Sequence, residues 1–301
     1  MLFLALAVSC SLAIAVVFKV AERRDLDRTA LLTVNYLAAA VLAVALQGVE
    51  PQGTLTAGLV ALGVGQGVLF IAGFWLFSLA IREAGMGLAA GVMRLSVVVP
   101  FLASWLIWDE APTPWQVVGL GLAGAAFFLV ARPAAEAPGK LGPPDDGSLP
   151  AAPTAPAGRT AVVLGLLFLS GGAVDLNMKL FDESFAGPGG VPIATFLLFV
   201  FGVAFAVGAL VVVATGVRTG RWPSAQAWAW GVGLGLVNYG SAEFLLRALE
   251  RLDGTVAFPA NSVAIVLGAA LIGRVVWGER LSRANVAGLG LAAAALVLLA
   301  G

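Results

Sequence analysis

The side chains able to do chemistry are few, and they fall inside long apolar runs: Arg94, Asp175, Asn177, Lys179, Asn238, Tyr239, Glu243, Asn261 and Ser262. An ionised group at the centre of a bilayer costs about 2.5 to 3.5 kcal/mol on insertion scales, so a charge kept there needs a partner, a wet cavity or a task. Arg94 lies about eight residues, or about 12 Å, into its run. Glu243 is comparably deep from the opposite end of its own run. If the two runs are parallel helices, both charges approach the midplane and could pair directly or through a bound ligand. A structural ion pair that locks two helices is an equally open reading. Glu243 has a third use, a salt bridge to Arg247 four residues on.

Asp175 and Lys179, also four apart, share a helix face, which predicts an internal ion pair near the interface. Lys19 and Lys179 close equivalent runs and are expected to snorkel toward headgroups at opposite surfaces. Asn177 points away from that pair and is a candidate ligand contact. Asn-Tyr occurs twice, as Asn35-Tyr36 and Asn238-Tyr239. Such amides and phenols can bind a carboxylate or an amine, although between membrane helices they more often bond one another. Asn261-Ser262 follows Pro259, whose ring frees a backbone carbonyl, and interruptions of that kind line binding cavities. Pro100, a little past Arg94, is the matching break. The candidate binding set is therefore Arg94, Asn177, Asn238, Tyr239, Glu243, Asn261 and Ser262. With no histidine in the chain, any proton coupling falls to Glu243 or Asp175, whose protonation on burial is physically reasonable.

Composition excludes other chemistry. Without histidine and with Cys10 as the single cysteine, there is no intrachain disulfide and no zinc ligand set, so no metal and no cofactor are expected. Paired carboxylates or a nucleophile with its base do not occur at membrane depth, so no catalytic residue is assigned. Gly63, Gly65, Gly67 and Gly231, Gly233, Gly235 lack the Lys-Ser or Lys-Thr that follows a phosphate-binding loop; they read as small-residue faces where helix backbones approach closely. Seventeen basic against seventeen acidic residues leave no basic footprint for nucleic acid.

The elements that must position these groups follow from 60% hydrophobic residues, 11% charged residues and a mean hydropathy of +0.99. A soluble domain carries about 25% charged residues, so this is an integral membrane protein. Apolar runs between charge, Pro and Gly punctuation predict ten transmembrane helices, near 2–20, 29–47, 55–81, 86–108, 115–132, 160–181, 191–216, 225–249, 254–277 and 284–300. Each run is apolar around its circumference, which argues against alternating barrel strands. The stretch 133–158, with seven prolines among Ala, Gly and the acidic pair Asp145-Asp146, reads as a disordered linker. Residues 1–15 also have the apolar stretch of a signal peptide, but no positive region precedes it, and an uncleaved first helix is the better reading. Tryptophans mostly fall near helix ends, as interfacial anchors do.

Two related halves are visible. A shift of 169 pairs Arg82, Gly85, Trp108 and Glu110 with Arg251, Gly254, Trp277 and Glu279, and Gly119-Leu120-Gly121-Leu122-Ala123 with Gly288-Leu289-Gly290-Leu291-Ala292. A shift of 160 places Ala13 and Lys19 on Ala173 and Lys179, with Glu22 opposite Asp182. Residues 1–132 and 159–301 thus form two five-helix repeats, and an odd helix number turns the second copy upside down. Most Lys and Arg fall in odd-numbered connections, so the positive-inside rule puts these in the cytoplasm and both termini outside.

Trp108-Asp109-Glu110 before Pro112-Thr113-Pro114-Trp115, and Trp277-Gly278-Glu279-Arg280-Leu281-Ser282 before Val286-Ala287-Gly288, resemble the signature at the helix 4–5 and 9–10 junctions of EamA-type drug/metabolite transporters. Phe18-Lys19 closing the first helix also resembles that superfamily. The first copy departs from the signature, with Asp109 where Gly is usual and a proline, Pro112, where Leu would stand. The resemblance implies a ten-helix inverted repeat whose helices 1, 3, 4, 6, 8 and 9 line a central cavity. It also implies transport by alternating access, and cytoplasmic termini, against the charge count. The expected function is a secondary transporter of a small amino-acid-like or drug-like solute in the inner membrane. A non-transporting scaffold or receptor, or a lipid-modifying membrane enzyme, is the alternative. The expected partners are a small-molecule substrate, the lipid bilayer and, as an open alternative, a second copy in a homodimer.

Overall fold

The computed structural model describes residues 1–24, 26–47, 55–131, 157–187, 189–220, 222–278 and 281–300; the 133–158 linker, apart from its last two residues, lies outside them. Among the described residues there are helices and no strands: α1 (Leu2–Arg23), α2 (Arg28–Gln47), α3 (Ala57–Ala84), α4 (Met86–Leu95), α5 (Val98–Ile107), α6 (Pro114–Val130), α7 (Ala157–Phe185), α8 (Ile193–Thr219), α9 (Ala225–Leu249), α10 (Gly254–Val276) and α11 (Arg283–Ala300). Eight spans are long and apolar enough to cross a membrane, with α4 and α5 counted together as one. Of the rest, α6 is apolar but short, and α9 carries Asn238, Tyr239, Glu243 and Arg247. This is a multi-pass, all-α membrane protein.

Helix starts follow local chemistry. Asp27 Oδ1 accepts the Thr29 and Ala30 amides at the head of α2. Thr113 and Gln116 form a reciprocal capping box on α6, with Pro114 in the first turn. The fourth predicted span, 86–108, is two helices. Pro100 has no amide proton to give the Ser96 carbonyl and its ring crowds that oxygen, and the break falls at Ser96-Val97, where Val97 donates to the Arg94 carbonyl and Val99 to that of Ser96. The expected matching break at Pro259 does not occur: α10 runs unbroken through it. Pro259 stands within two turns of the helix start, so the bond it removes is to a residue of the first turn.

The principal packing pairs are α6 with α11, α2 with α8 and α9, α1 with α9 and α10, α3 with α7 and α8, α10 with α11, and α5 with α7 and α10. Exchanging α1–α6 for α7–α11 returns most of them: α1 against α9 becomes α7 against α3, and α2 against α9 becomes α8 against α3. The glycine faces are where backbones meet. A Cβ on Gly235 would lie 2.5 Å from the Asn35 carbonyl oxygen, and one on Gly67 would lie 2.6 Å from that of Val200.

Contacts sort the helix termini into two ends. At one, Arg23 lies over the Trp277 ring, Arg24 over Trp230, and Arg159 pairs with Glu83 at 2.9 Å, so α1, α3 and α10 finish where α7 and α9 begin. At the other, Arg247 and Arg251 lie over Phe3 and Glu110 meets the start of α10.

Candidate functional site

A cavity of about 400 Å³ is lined by α1–α4, α7, α9 and α10. Its lining comes from the C-terminal halves of α1 and α3 and the N-terminal halves of α2, α7 and α9, so it extends from mid-molecule toward the end holding Arg23, Arg24 and Trp277. Phe18, Tyr36, Phe70, Phe74 and Phe77 make the apolar wall. Two opposite charges face into it. Arg94 comes from the last turn of α4, where the break at Ser96-Val97 leaves a helix C-terminus whose dipole favours a cation. Asp175 comes from mid-α7. Their charges attract, yet among the described residues no ion pair within 4 Å joins them. Both are half-buried.

Amides and hydroxyls complete the wall. Asn238 donates its amide to Asn35 Oδ1 at 3.2 Å, joining the two Asn-Tyr motifs across the α2–α9 contact. Asn35 is 1% exposed, and its own amide nitrogen has no partner. The buried Ser170 hydroxyl is also unpartnered, while Ser96 donates to the Met93 carbonyl and Ser262 sits on the α10 side. Buried polar atoms left without partners cost about 1 to 3 kcal/mol each. Asn35 and Ser170 therefore offer hydrogen bonds that nothing in the resting wall takes up.

Of the residues expected from sequence, Arg94, Asp175, Asn238 and Ser262 meet in this cavity. Asn177, Tyr239, Glu243 and Asn261 do not line it. Asn177 lies two residues, or about 200°, round α7 from Asp175 and faces Gly65 of α3. Asn261 turns its Oδ1 into a dry contact without a partner. Tyr239 and Glu243 line a separate cavity of about 420 Å³ with Arg247, Glu250 and the 186–194 segment. There Glu243 Oε1 accepts both Nε and Nη2 of Arg247, at 2.9 and 2.7 Å, so Arg94 and Glu243 are not partners. The cavity of the resembled family excludes the second helix, yet Asn35 and Tyr36 of α2 are in the wall.

The expected Asp175–Lys179 pair and the snorkelling of Lys179 are also overturned. Lys179 is 1% exposed. Its Nζ donates to Glu110 Oε1 at 2.5 Å and Glu183 Oε1 at 2.6 Å, with Asp182 at 3.6 Å. Glu110 Oε2 takes the Gly254 amide at 2.6 Å, the first turn of α10, where a carboxylate satisfies an orphan N–H and meets the positive end of the dipole. Lys179 had two partner directions four residues away, and the carboxylates on both sides of the α7 terminus outcompete Asp175, which turns to Arg94. The cluster was legible only as the Trp-x-Glu landmark common to both halves.

Residues 1–132 match the model of the EamA-like transporter family. An uncharacterized protein of Haemophilus influenzae is 23% identical over 299 residues, covering 94% of this chain and 92% of its own. A solved structure, titled only as a crystal structure of a protein, superposes with a TM-score of 0.71 at 14% identity, covering 99% of this chain and 98% of that one; it shares the fold.

Proposed function

We propose that the chain, whose residues 1–132 match the EamA-like transporter family, is a secondary carrier of a small zwitterionic solute with an apolar body, such as an amino acid with an aliphatic or aromatic side chain. One observation carries this: Arg94 and Asp175 face one cavity without direct contact. A carboxylate on Arg94 and an ammonium on Asp175 would satisfy both charges at once, with Asn35 and Ser170 supplying the remaining hydrogen bonds. The aromatic wall takes the side chain. A volume of about 400 Å³ is near the small end of ligand pockets, about 300 to 1,000 Å³, which suits a metabolite rather than an oligomer.

Alternating access is the motion we assign, with 1–132 and 159–301 as inverted repeats rocking about this cavity. The repeat shifts and the exchange of packing partners between halves support the duplication. The end with Arg23, Arg24, Arg28, Arg82 and Arg159 is cytoplasmic in this reading, in the inner membrane, and both termini lie outside. Asp175 is the candidate proton carrier, because Glu243 is committed to Arg247 away from the cavity.

The test is counterflow in proteoliposomes. Vesicles preloaded with an unlabelled neutral amino acid should accumulate the labelled one, and Arg94→Ala and Asp175→Asn should each abolish most of it. Equal uptake of the deaminated or decarboxylated analogue would refute the zwitterion assignment.

A further inference from the structure

The Lys179 cluster lies outside the cavity and joins both halves of the chain. Glu110 belongs to the α5–α6 junction, whereas Lys179 and Gly254 belong to α7 and α10. Lys179 follows Asp175 by one turn of α7, so the cluster stands between the cavity and the end that carries Phe3, Arg247 and Arg251. We propose that Lys179, Glu110 and the amide of Gly254 form a latch that keeps this end shut, and that the latch must part for the cavity to reach that side of the membrane. This rests on the transporter reading above, but its first test, by labelling, does not need a transported solute.

Three observations carry it. A single carboxylate bridges two elements through its two oxygens, so losing Glu110 frees the lysine and the α10 terminus together. A charge this deeply enclosed is held only while its partners stay, since removing one partner of a buried pair leaves an uncompensated ion. Gly254 permits the approach: a Cβ there would overlap the Ser104 hydroxyl and crowd Glu110 Oε2. Separation of the halves would let water take over the solvation of these charges.

The opposite end repeats the lysine–tryptophan contact. Lys179 Nζ lies 5.9 Å from the centre of the Trp108 ring, and Lys19 Nζ lies 5.9 Å from that of Trp277. The repeat shifts place Lys19 on Lys179 and Trp108 on Trp277, so each end sets a lysine of one half over a tryptophan of the other.

The experiment measures access to the cavity. In full-length protein with Cys10→Ala and Ser262→Cys, reconstituted in vesicles of either orientation, a membrane-impermeant methanethiosulfonate reports which side reaches the cavity. Glu110→Gln should raise labelling from the latch end about tenfold or more; a factor of ten corresponds to about 1.4 kcal/mol, less than the loss of a buried partner. Gly254→Ala, which leaves every charge in place, should move it the same way. If Glu110→Gln does not fold, judged by gel filtration, Gly254→Ala decides. Unchanged labelling from that end in a folded variant overturns the proposal.

A second arm uses Glu110→Cys with Lys179→Cys in the Cys10→Ala background, joined by a short bifunctional thiol reagent. The joined protein should stop counterflow and recover when the link is cleaved; continued counterflow overturns the latch. Labelling that responds as expected, with no solute transported by any variant, would uphold the latch and count against the carrier function.

Discussion

At the level of single residues, the account turns on Arg94 and Asp175. Arg94→Ala should raise the half-saturating solute concentration about tenfold to a hundredfold, the range for losing a charged hydrogen bond of about 1.5 to 3 kcal/mol. Asp175→Asn should weaken amine-bearing solutes and spare carboxylates that lack an amine, read by competition in the same vesicles. Glu243→Gln should leave flux within about twofold, because its half-exposed Arg247 partner gives a bond of the weak surface kind; a large loss would bring Glu243 back into the transport path. Both cavity charges were visible in the sequence as ions at membrane depth. Their partners were not. Spacing along one helix reveals neighbours at three and four residues, whereas Arg94 and Asp175 face one cavity from two different helices, and that depends on how each helix is rotated. The same holds for Asn35 and Asn238, whose motif was plain but whose meeting required α2 to pack on α9.

Among the elements, the broken fourth span and the glycine faces matter most. The sequence located the helices well, because twenty apolar residues between charges leave little choice in lipid. It treated two prolines alike, and the structure separates them by position: Pro100 falls late in its span and the ladder breaks just ahead of it at Ser96-Val97, while α10 runs through Pro259 close to its start. Pro100→Ala should let α4 and α5 fuse, turning Arg94 on its axis; the protein should melt no lower in detergent, yet carry solute poorly. Gly235→Val should do the reverse of a local change. With the Asn35 carbonyl where the new side chain must go, overpacking of about 1 to 3 kcal/mol is expected, seen as a lower melting temperature and a disturbed Asn35–Asn238 bond that weakens binding as well.

For the whole molecule, the duplication proposed above would account for a cavity lined from both 1–132 and 159–301 and for a lysine over a tryptophan at each end, Lys179 over Trp108 and Lys19 over Trp277. The latch itself could not be read from the repeat shifts, since which lysine meets which glutamate depends on how the halves dock. A Gly/Ser replacement of 133–158 at equal length should preserve counterflow, because the residues named in the cavity wall all lie outside it; loss of function with intact folding would favour a scaffold role for that segment. A C-terminal reporter active only outside the cytoplasm should score positive.

The most direct measurement is counterflow of a labelled neutral amino acid into proteoliposomes, run beside its deaminated and decarboxylated analogues in wild-type, Arg94→Ala and Asp175→Asn protein. The account predicts accumulation of the zwitterion alone by the wild type and little by either variant. Transport of the single-charge analogues at the same rate, or full activity in both variants, would contradict it.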